Sequence, residues 1–329
     1  MGEEDARTWP TPLPALEAEG PGGGHFVRDH LGAPTADARA ETVSVGGAVE
    51  EPFEVGLDEL RARPAREEVV VLECAGHRRD EYQPAPEGVQ WGVGAVGEAT
   101  WRGAALHELI AQARPANGAC EVVLHGADGY ARSLPLDKAL EPGALVAYEM
   151  DGRPLPDVHG APLRVVVPGW YATDGVKWLT AIELVTEPFD GPFQMDEYRW
   201  IEPGEEGIGD RLYGMPVSSL VTTPDGSESL EPGPAAVRGV AWSDGTAIER
   251  VEVRIDEGEW RQAELTPPPG HFALTRWHTT WQVRPGWHTI ESRATDGRGR
   301  TQPHHPQPNQ GGYANNAVHR VALEVEGGR

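Results

Sequence analysis

Val69-Val70-Val71-Leu72-Glu73-Cys74-Ala75-Gly76-His77-Arg78-Arg79-Asp80 is the stretch on which the reading of the chain turns. Its first four residues are apolar and mostly β-branched, which predicts a buried strand. The run ends in a thiol, two small residues and, past His77, two guanidinium groups. A thiolate is a soft metal ligand, and positive neighbours favour its ionised form. Arg79 also carries the forked donor geometry that grips a tetrahedral oxyanion. The same residues equally suit a buried cysteine packed as a small hydrophobe, followed by two solvated arginines. The stretch alone leaves both readings open.

The 329-residue length predicts about two domains, and 39% apolar content supports sizeable cores. The formal charge of −24 makes nucleic acid and an anionic membrane poor partners. It would also repel an anionic substrate at long range, so any anion site must be a local basic pocket. Arg28, Arg78 and Arg79 are the candidates. Two cysteines, Cys74 and Cys120, exclude a disulfide scaffold and a four-thiolate zinc site. Cys120 has no metal-like neighbours and reads as packing. There is no C-x-x-C-H haem-attachment motif. The acidic start lacks an apolar signal region and a twin arginine, and no run is long enough to span a membrane, so a cytoplasmic protein is expected.

Along the chain, residues 1–24 are rich in Pro, Gly and charge and predict an N-terminal arm. Two short strands fall in 41–55, a short helix in 56–62 and an amphipathic helix in 104–110. A strand over 121–130 runs into the turn signal Asp128-Gly129, and a strand over 144–150 into a hairpin turn at Asp151-Gly152. Gly92, Gly94 and Gly97 spell a G-x-G-x-x-G. It is set aside as a dinucleotide fingerprint, because Pro84, Pro86 and Gly88 break any strand ahead of it and no acidic residue closes a second strand about twenty residues on. Residues 203–210 look like a linker. Beyond them short strands recur at 217–221, 236–242, 248–255, 259–265, 272–281, 286–293 and 318–325, with clean alternation over 249–255. That pattern predicts an immunoglobulin-like sandwich without an inter-sheet disulfide. The fold class expected is α+β: a mixed α/β domain followed by an all-β immunoglobulin-like sandwich.

Leu72-Glu73-Cys74-Ala75-Gly76-His77-Arg78-Arg79 resembles the molybdenum-ligand motif of the sulfite oxidase family, L-[QE]-C-A-G-N-R-R, with His77 in place of the usual Asn. Further segments match in the same order. Arg28-Asp29-His30-Leu31 resembles R-N-H-[LF], with Asp29 for Asn. Trp91 through Trp101 fits W-x-x-G-A-x-[SG]-x-A-x-W. His159 through Gly169 resembles H-G-x-P-x-R-x-V-V-P-G, and Gly175-Val176-Lys177-Trp178-Leu179 resembles [SG]-V-K-W-L. Tyr198 falls where the family has its active-site tyrosine, and segments 239–243 and 309–321 resemble the family's dimerisation domain. The resemblance covers residues 25–325.

The resemblance implies a pyranopterin molybdenum cofactor with Cys74 as the metal ligand. Its cofactor contacts would be Arg28, Asp29, His30, Asp128, His159, Arg164, Gly175, Val176 and Lys177, and its catalytic residues Arg28, Arg79, Trp91 and Tyr198. From the residues alone, Asp128 is equally a turn former, Trp91 a core residue, Lys177 a snorkelling lysine and Tyr198 an ordinary amphipathic tyrosine. The implied domains are an arm over 1–24, a molybdopterin-binding catalytic domain over 25–210 and a dimerisation domain over 211–329.

The implied activity is oxidation of sulfite to sulfate by oxygen-atom transfer, with electrons passed to an external acceptor such as a cytochrome and the protein acting as a homodimer. Neither haem nor flavin is expected. Animal family members carry a further arginine at the position of Gly311; losing one charge-assisted contact weakens anion binding by about 1–3 kcal/mol, and Gln310 or Tyr313 are the residues placed to compensate. Two alternatives stand beside this reading. One is a related molybdenum reductase of nitrate or of an organic S- or N-oxide. The other is a non-catalytic protein with an immunoglobulin-like partner domain.

Overall fold

The apolar run lies in the strand Arg66–Glu73 and is continuous because both of its faces are buried. Val70 and Leu72 pack with Phe26, Trp91, Trp101 and Cys74 on one side. Val71 packs with Tyr171, Met215 and Trp242 on the other. These details come from a computed structural model that describes residues 7–18, 24–39 and 41–326.

Arg66–Glu73 is the edge of an antiparallel sheet that continues through Val96–Ala105, Leu145–Met150 and Arg153–Pro154, with Arg164–Val166 also pairing to Leu145–Met150. A second, mixed sheet runs Phe53–Gly56, Thr42–Gly47, Leu179–Val185, Glu121–Gly126 and Ala131–Pro135. Its one parallel pairing joins Leu179–Val185 to Thr42–Gly47. The helices Leu57–Ala62, Leu106–Ala113 and Leu136–Leu140 close the core between the sheets, with Leu60, Leu106, Leu109 and Ile110 fully buried.

Beyond Pro216 two four-stranded sheets face each other. One orders Ser218–Thr223, Gly233–Trp242, Thr275–Val283 and Glu264–Thr266; the other orders Arg261–Gln262, Ile248–Ile255, Gly286–Asp296 and His319–Val325. Alternating residues such as Val237, Val251, Val253, Trp277 and Ile290 fill the space between them. The expected all-β sandwich is therefore present. The run expected as a single strand over 259–265 is split instead. Arg261–Gln262 and Glu264–Thr266 pair with opposite sheets, so the chain crosses the sandwich at Ala263.

The sandwich is joined to the first domain through backbone. Phe272 forms a parallel bridge to Val70, and the Val71 N–H donates to the Phe272 carbonyl at 2.9 Å. A loop of the second domain thus covers the free edge of Arg66–Glu73, which would otherwise expose unpaired amides. The two glycines inside the set-aside fingerprint serve close packing. A Cβ on Gly94 would lie 2.5 Å from Pro10, and one on Gly97 would lie 2.7 Å from the His25 ring.

Of the stretch expected as an N-terminal arm, residues 1–6 and 19–23 lie outside the described residues. Thr8–Trp9 pairs with Val27–Arg28, and Leu16 of the helix Leu13–Glu17 is buried against the joint between the domains.

Glu73 is buried at the end of the central strand. Its carboxylate accepts from His77 Nδ1 at 2.8 Å and from Trp242 Nε1 at 3.0 Å. Trp242→Phe keeps the ring and removes one donor from a buried charge. The expected loss is about 1.5–3 kcal/mol, read as a lower midpoint in urea denaturation with an unchanged slope.

Candidate active site

One cavity of about 650 Å³ opens where the ends of several elements meet. Arg28 ends the short strand Val27–Arg28, and Asp29 and His30 follow it. Cys74 sits one residue past Arg66–Glu73, its N–H held by the Ala95 carbonyl at 2.9 Å. Asp128 and Tyr130 come from the turn between Glu121–Gly126 and Ala131–Pro135. His159 ends the 3-10 turn Asp157–His159, and Arg164 begins its strand. Gly175 and Lys177 follow the 3-10 turn Ala172–Asp174. Tyr198 precedes Arg199–Trp200 in the left-handed region at φ 54°, a conformation that costs a non-glycine residue about 1–2 kcal/mol.

Ten of the expected site residues therefore line one wall-to-wall space: Arg28, Asp29, His30, Cys74, Asp128, His159, Arg164, Gly175, Lys177 and Tyr198. Three do not line it. The Val176 side chain belongs to the first-domain core, so only its backbone is available to a ligand. Trp91 packs edge-on against Phe26 in the cluster that holds Cys74, and its buried Nε1 has no partner. Arg79 is held behind the lining. Its Nε donates to the Gly311 carbonyl at 3.0 Å, its Nη1 to the Val89 carbonyl at 3.1 Å, and its guanidinium lies 4.8 Å from the Tyr313 ring centre.

Arg78, one of the candidates for the basic pocket, turns away from it. It makes a two-pronged pair with Glu81 at 2.7 and 2.8 Å and donates to the Ala317 carbonyl at 2.7 Å. The reason is local: Arg78 is in the left-handed region at φ 58°, which reverses the side-chain direction between Arg78 and Arg79. Arg78 is thereby a tie to the second domain.

The electrostatics are those of a basic pocket inside an acidic protein. Arg28 and Arg164 have only carbonyl partners among the described residues. Burial lowers Arg164 to about 10, and its guanidinium lies 4.8 Å from the Trp101 ring centre. Lys177 is also lowered by burial, to about 8, although the buried Asp29 carboxylate pairs with it and opposes the shift. Asp29 bonds Arg7 at 2.5 Å as well, so this carboxylate, where the family has an amide, is fully used by cations. Asp128 does both jobs that its residues allowed: its Oδ1 accepts the Tyr130 N–H at 3.1 Å while the side chain faces the cavity. Burial raises the Cys74 thiol, and Arg79 and Arg28 oppose that shift.

Several residues of the site were missed by sequence reasoning. His25 and Tyr130 line the cavity. Arg132, fully buried, pairs with buried Asp174 at 2.9 Å and lies 5.5 Å from the Tyr198 ring centre. An isolated arginine in a strand and an aspartate 42 positions further on carry no local signal of pairing. Tyr313, named only as a compensator, packs between Arg79 and Tyr198, 5.3 Å from the latter ring, and a Cβ on Gly311 would lie 2.2 Å from it. The phenyl ring thus fills the space into which a side chain at 311 would extend.

The residues present fit a large anionic cofactor held by one thiolate. The Cys74 side chain faces the cavity, and two guanidiniums there lack carboxylates. His25 Nε2 and Thr173 Oγ1 line the same space, are buried and have no partner. Buried polar atoms are ordinarily paired, so these two await a ligand's donors and acceptors. No group of three or more metal-ligating side chains clusters among the described residues.

Comparison with known proteins agrees with this geometry. The family profile for the oxidoreductase molybdopterin binding domain matches residues 30–193, and that for the Mo-co oxidoreductase dimerisation domain matches residues 210–326. Mitochondrial sulfite oxidase of Mus musculus is 34% identical over 95% of this chain and 63% of its own length. Sulfite oxidase of Arabidopsis thaliana is 30% identical over 91% of this chain and 86% of its own length. The crystal structure of the sulfane dehydrogenase SoxCD from Paracoccus pantotrophus superposes with a TM-score of 0.87 at 25% identity, covering 99% of this chain and 88% of that one. The chain spans less than two thirds of the length of the mouse protein.

Burial holds the cavity imidazoles neutral: His25 is lowered to about 4, His30 to about 3 and His159 to about 2. Unfolded histidines titrate near 6.5, so below that pH the unfolded chain binds more protons than the folded one. Stability is therefore fully present above about 6.5 and falls as the pH is lowered toward 4. Thermal unfolding followed from pH 7.5 to 4.5 should show this decline, and His25→Phe should make it shallower.

Proposed function

The chain belongs to the sulfite oxidase family of molybdopterin-binding oxidoreductases, and we propose that it uses the cavity at Cys74 to oxidise sulfite to sulfate. The observation that carries this reading is the buried Cys74 thiol, contacted by the Gly76 backbone N–H, opening into a cavity lined by guanidiniums that have only carbonyl partners among the described residues. Cys74 would be the metal ligand. A metal ion would bind the thiolate and release its proton to water, and Arg28 and Arg79 favour the thiolate. Arg28, Asp29, His30, Asp128, His159, Arg164 and Lys177, with the backbone of Gly175 and Val176, would hold the pterin and its phosphate. When bound, the cofactor supplies two-electron oxygen-atom transfer, and the protein supplies orientation and field.

Within that division of labour, Arg28 neutralises and orients the oxyanion, and its carbonyl partner leaves its charge uncancelled. Arg79 adds positive potential from behind the lining, where Tyr313 and two carbonyls fix its direction. Tyr198 presents a phenol to the same space, and Trp91 backs the thiol. Electrons leave to an external one-electron acceptor such as a cytochrome. We propose a homodimer through the sandwich, with 25–210 as the catalytic domain, 211–329 as the dimerisation domain and residues 1–24 contributing an arm. No helix of the described residues is long and apolar enough to cross a membrane; the unbridged cysteines support a cytoplasmic setting.

The test is sulfite-dependent reduction of an artificial electron acceptor by protein purified from a host that makes the cofactor, with molybdenum measured on the same sample. Turnover with one metal per chain is expected. Metal without sulfite turnover, together with reduction of nitrate or of an organic S- or N-oxide by a reduced dye, would replace this reading with the reductase. Absence of metal would leave a non-catalytic binding protein.

Cys74→Ser should keep the far-ultraviolet spectrum and lose both metal and turnover. Arg28→Met should raise KM for sulfite roughly tenfold to a hundredfold, the effect of about 1.5–3 kcal/mol for a charge-assisted contact, with turnover expressed per molybdenum bound.

A further inference from the structure

Tyr198 and His30 both line the cavity, and the Tyr198 hydroxyl hydrogen-bonds His30 Nε2. The same Nε2 lies 3.8 Å from Glu197 Oε2. Glu197 is not part of the cavity lining. Its side chain is 44% exposed, against 14% for His30. A phenol inside, an imidazole in the wall and a carboxylate at the surface thus stand in sequence, the first pair hydrogen-bonded and the second 3.8 Å apart.

We propose that Tyr198, His30 and Glu197 form the route by which protons leave the cavity, with Glu197 as the outlet. The inference rests on the sulfite-oxidising reading. Oxidation of sulfite consumes one water and yields sulfate, two protons and two electrons; the electrons go to the external one-electron acceptor, and the protons need a path to solvent. In each transfer Tyr198 Oη takes a proton from the cavity as its own passes to His30 Nε2. The proton on Nε2 then passes to Glu197 Oε2, which releases it to water.

The proton affinities favour the last step, toward the surface. Burial, together with Tyr130, Cys74 and Glu197, holds the Tyr198 phenol well above 10, so it stays protonated between transfers. His30 is lowered to about 3 by burial and by Arg28, Lys177, Arg132 and Arg79, so it receives a proton without trapping it. Burial raises Glu197, against the pull of Arg28, Arg79 and Arg132 and with a small contribution from Asp196. Transfer from imidazolium to carboxylate is therefore downhill. Tyr130 stacks on His30 at 5.2 Å and Phe193 meets it edge-on at 5.1 Å. These rings fix the imidazole plane, with Nε2 on the Tyr198 hydroxyl and within 3.8 Å of Glu197 Oε2.

The experiment uses the molybdenum-loaded holoenzyme and the variants Glu197→Gln and Glu197→Asp. Positioned acid–base groups contribute about 10²–10⁴-fold where proton transfer limits the rate. Glu197→Gln should lower kcat by about tenfold or more, leave KM for sulfite and metal content unchanged, and enlarge the solvent deuterium isotope effect on kcat. Added formate should restore part of the rate, and Glu197→Asp should stay near wild type. A second readout needs no turnover: in ¹⁵N-histidine spectra the His30 Nε2 signal should move as Glu197 titrates in the wild type and stay still in Glu197→Gln. An unchanged kcat and isotope effect, or a change confined to KM, would overturn the proposal, the latter because Glu197 would then act only through its field on the anion. A His30 signal indifferent to Glu197 would overturn it as well. If the wild type binds metal but does not turn over sulfite, the substrate reading fails by itself, while the spectra still decide whether the three groups are linked.

Discussion

A carboxylate cannot be left alone in a protein interior, and Glu73 is buried at the end of the central strand. Its two oxygens are taken by His77 in the turn that follows and by Trp242 in the second domain. The thiol of Cys74 lies between those constraints, one residue from Glu73 and three from His77. Its position is therefore set by a charge that loses several kcal/mol if any of the three elements moves. The Phe272 backbone bridge and the Arg78 bonds to Glu81 and Ala317 lock the same turn from two further directions. The second domain is in this way a structural part of the cysteine site as well as a separate sandwich.

The same principle of paired and unpaired charge shapes the cavity. The protein carries a net −24, yet the groups facing the cavity are chiefly cations. Which of them stay available is decided by their partners. Asp29 absorbs Lys177 and Arg7, and Asp174 absorbs Arg132. Arg28 and Arg164 meet only carbonyl oxygens, which orient a guanidinium without neutralising it. The uncancelled charge therefore lies on the cavity lining. Tyr313, filling the room beside Gly311, replaces a possible further cation with a neutral ring that steadies Arg79.

Much of this was legible in order along the chain. The strand before Cys74, the helix expected over 104–110 and found at Leu106–Ala113, and the sandwich strands are announced by local pattern, because periodicity and turn residues act over a few positions, whereas the segments carrying His159, Arg164 and Lys177 are announced by their resemblance to the family's motifs. The failures are equally instructive. Arg78 and Arg79 are adjacent and chemically identical, yet with a left-handed backbone at Arg78 one pairs with Glu81 and Ala317 and the other lies behind the cavity lining against Gly311 and Tyr313. The strand expected over 259–265 is divided between sheets because each half meets a different partner. Arg132 with Asp174, and His30 with Tyr198 and Glu197, come from distant segments whose pairing no spacing announces.

The amino-acid order by itself determined the α+β class, the presence of a sandwich, the cysteine at the end of the central apolar run and the supply of cations around it, since each depends on residue type and short-range pattern. Tertiary structure alone decided which cations remain unpaired, which side chains reach the cavity and which back it from behind, and the route from Tyr198 to the surface. The reason is physical. Charge pairing, burial and proton affinity depend on distances through space, and those distances exist only once the two domains have closed around the strand that ends in Glu73.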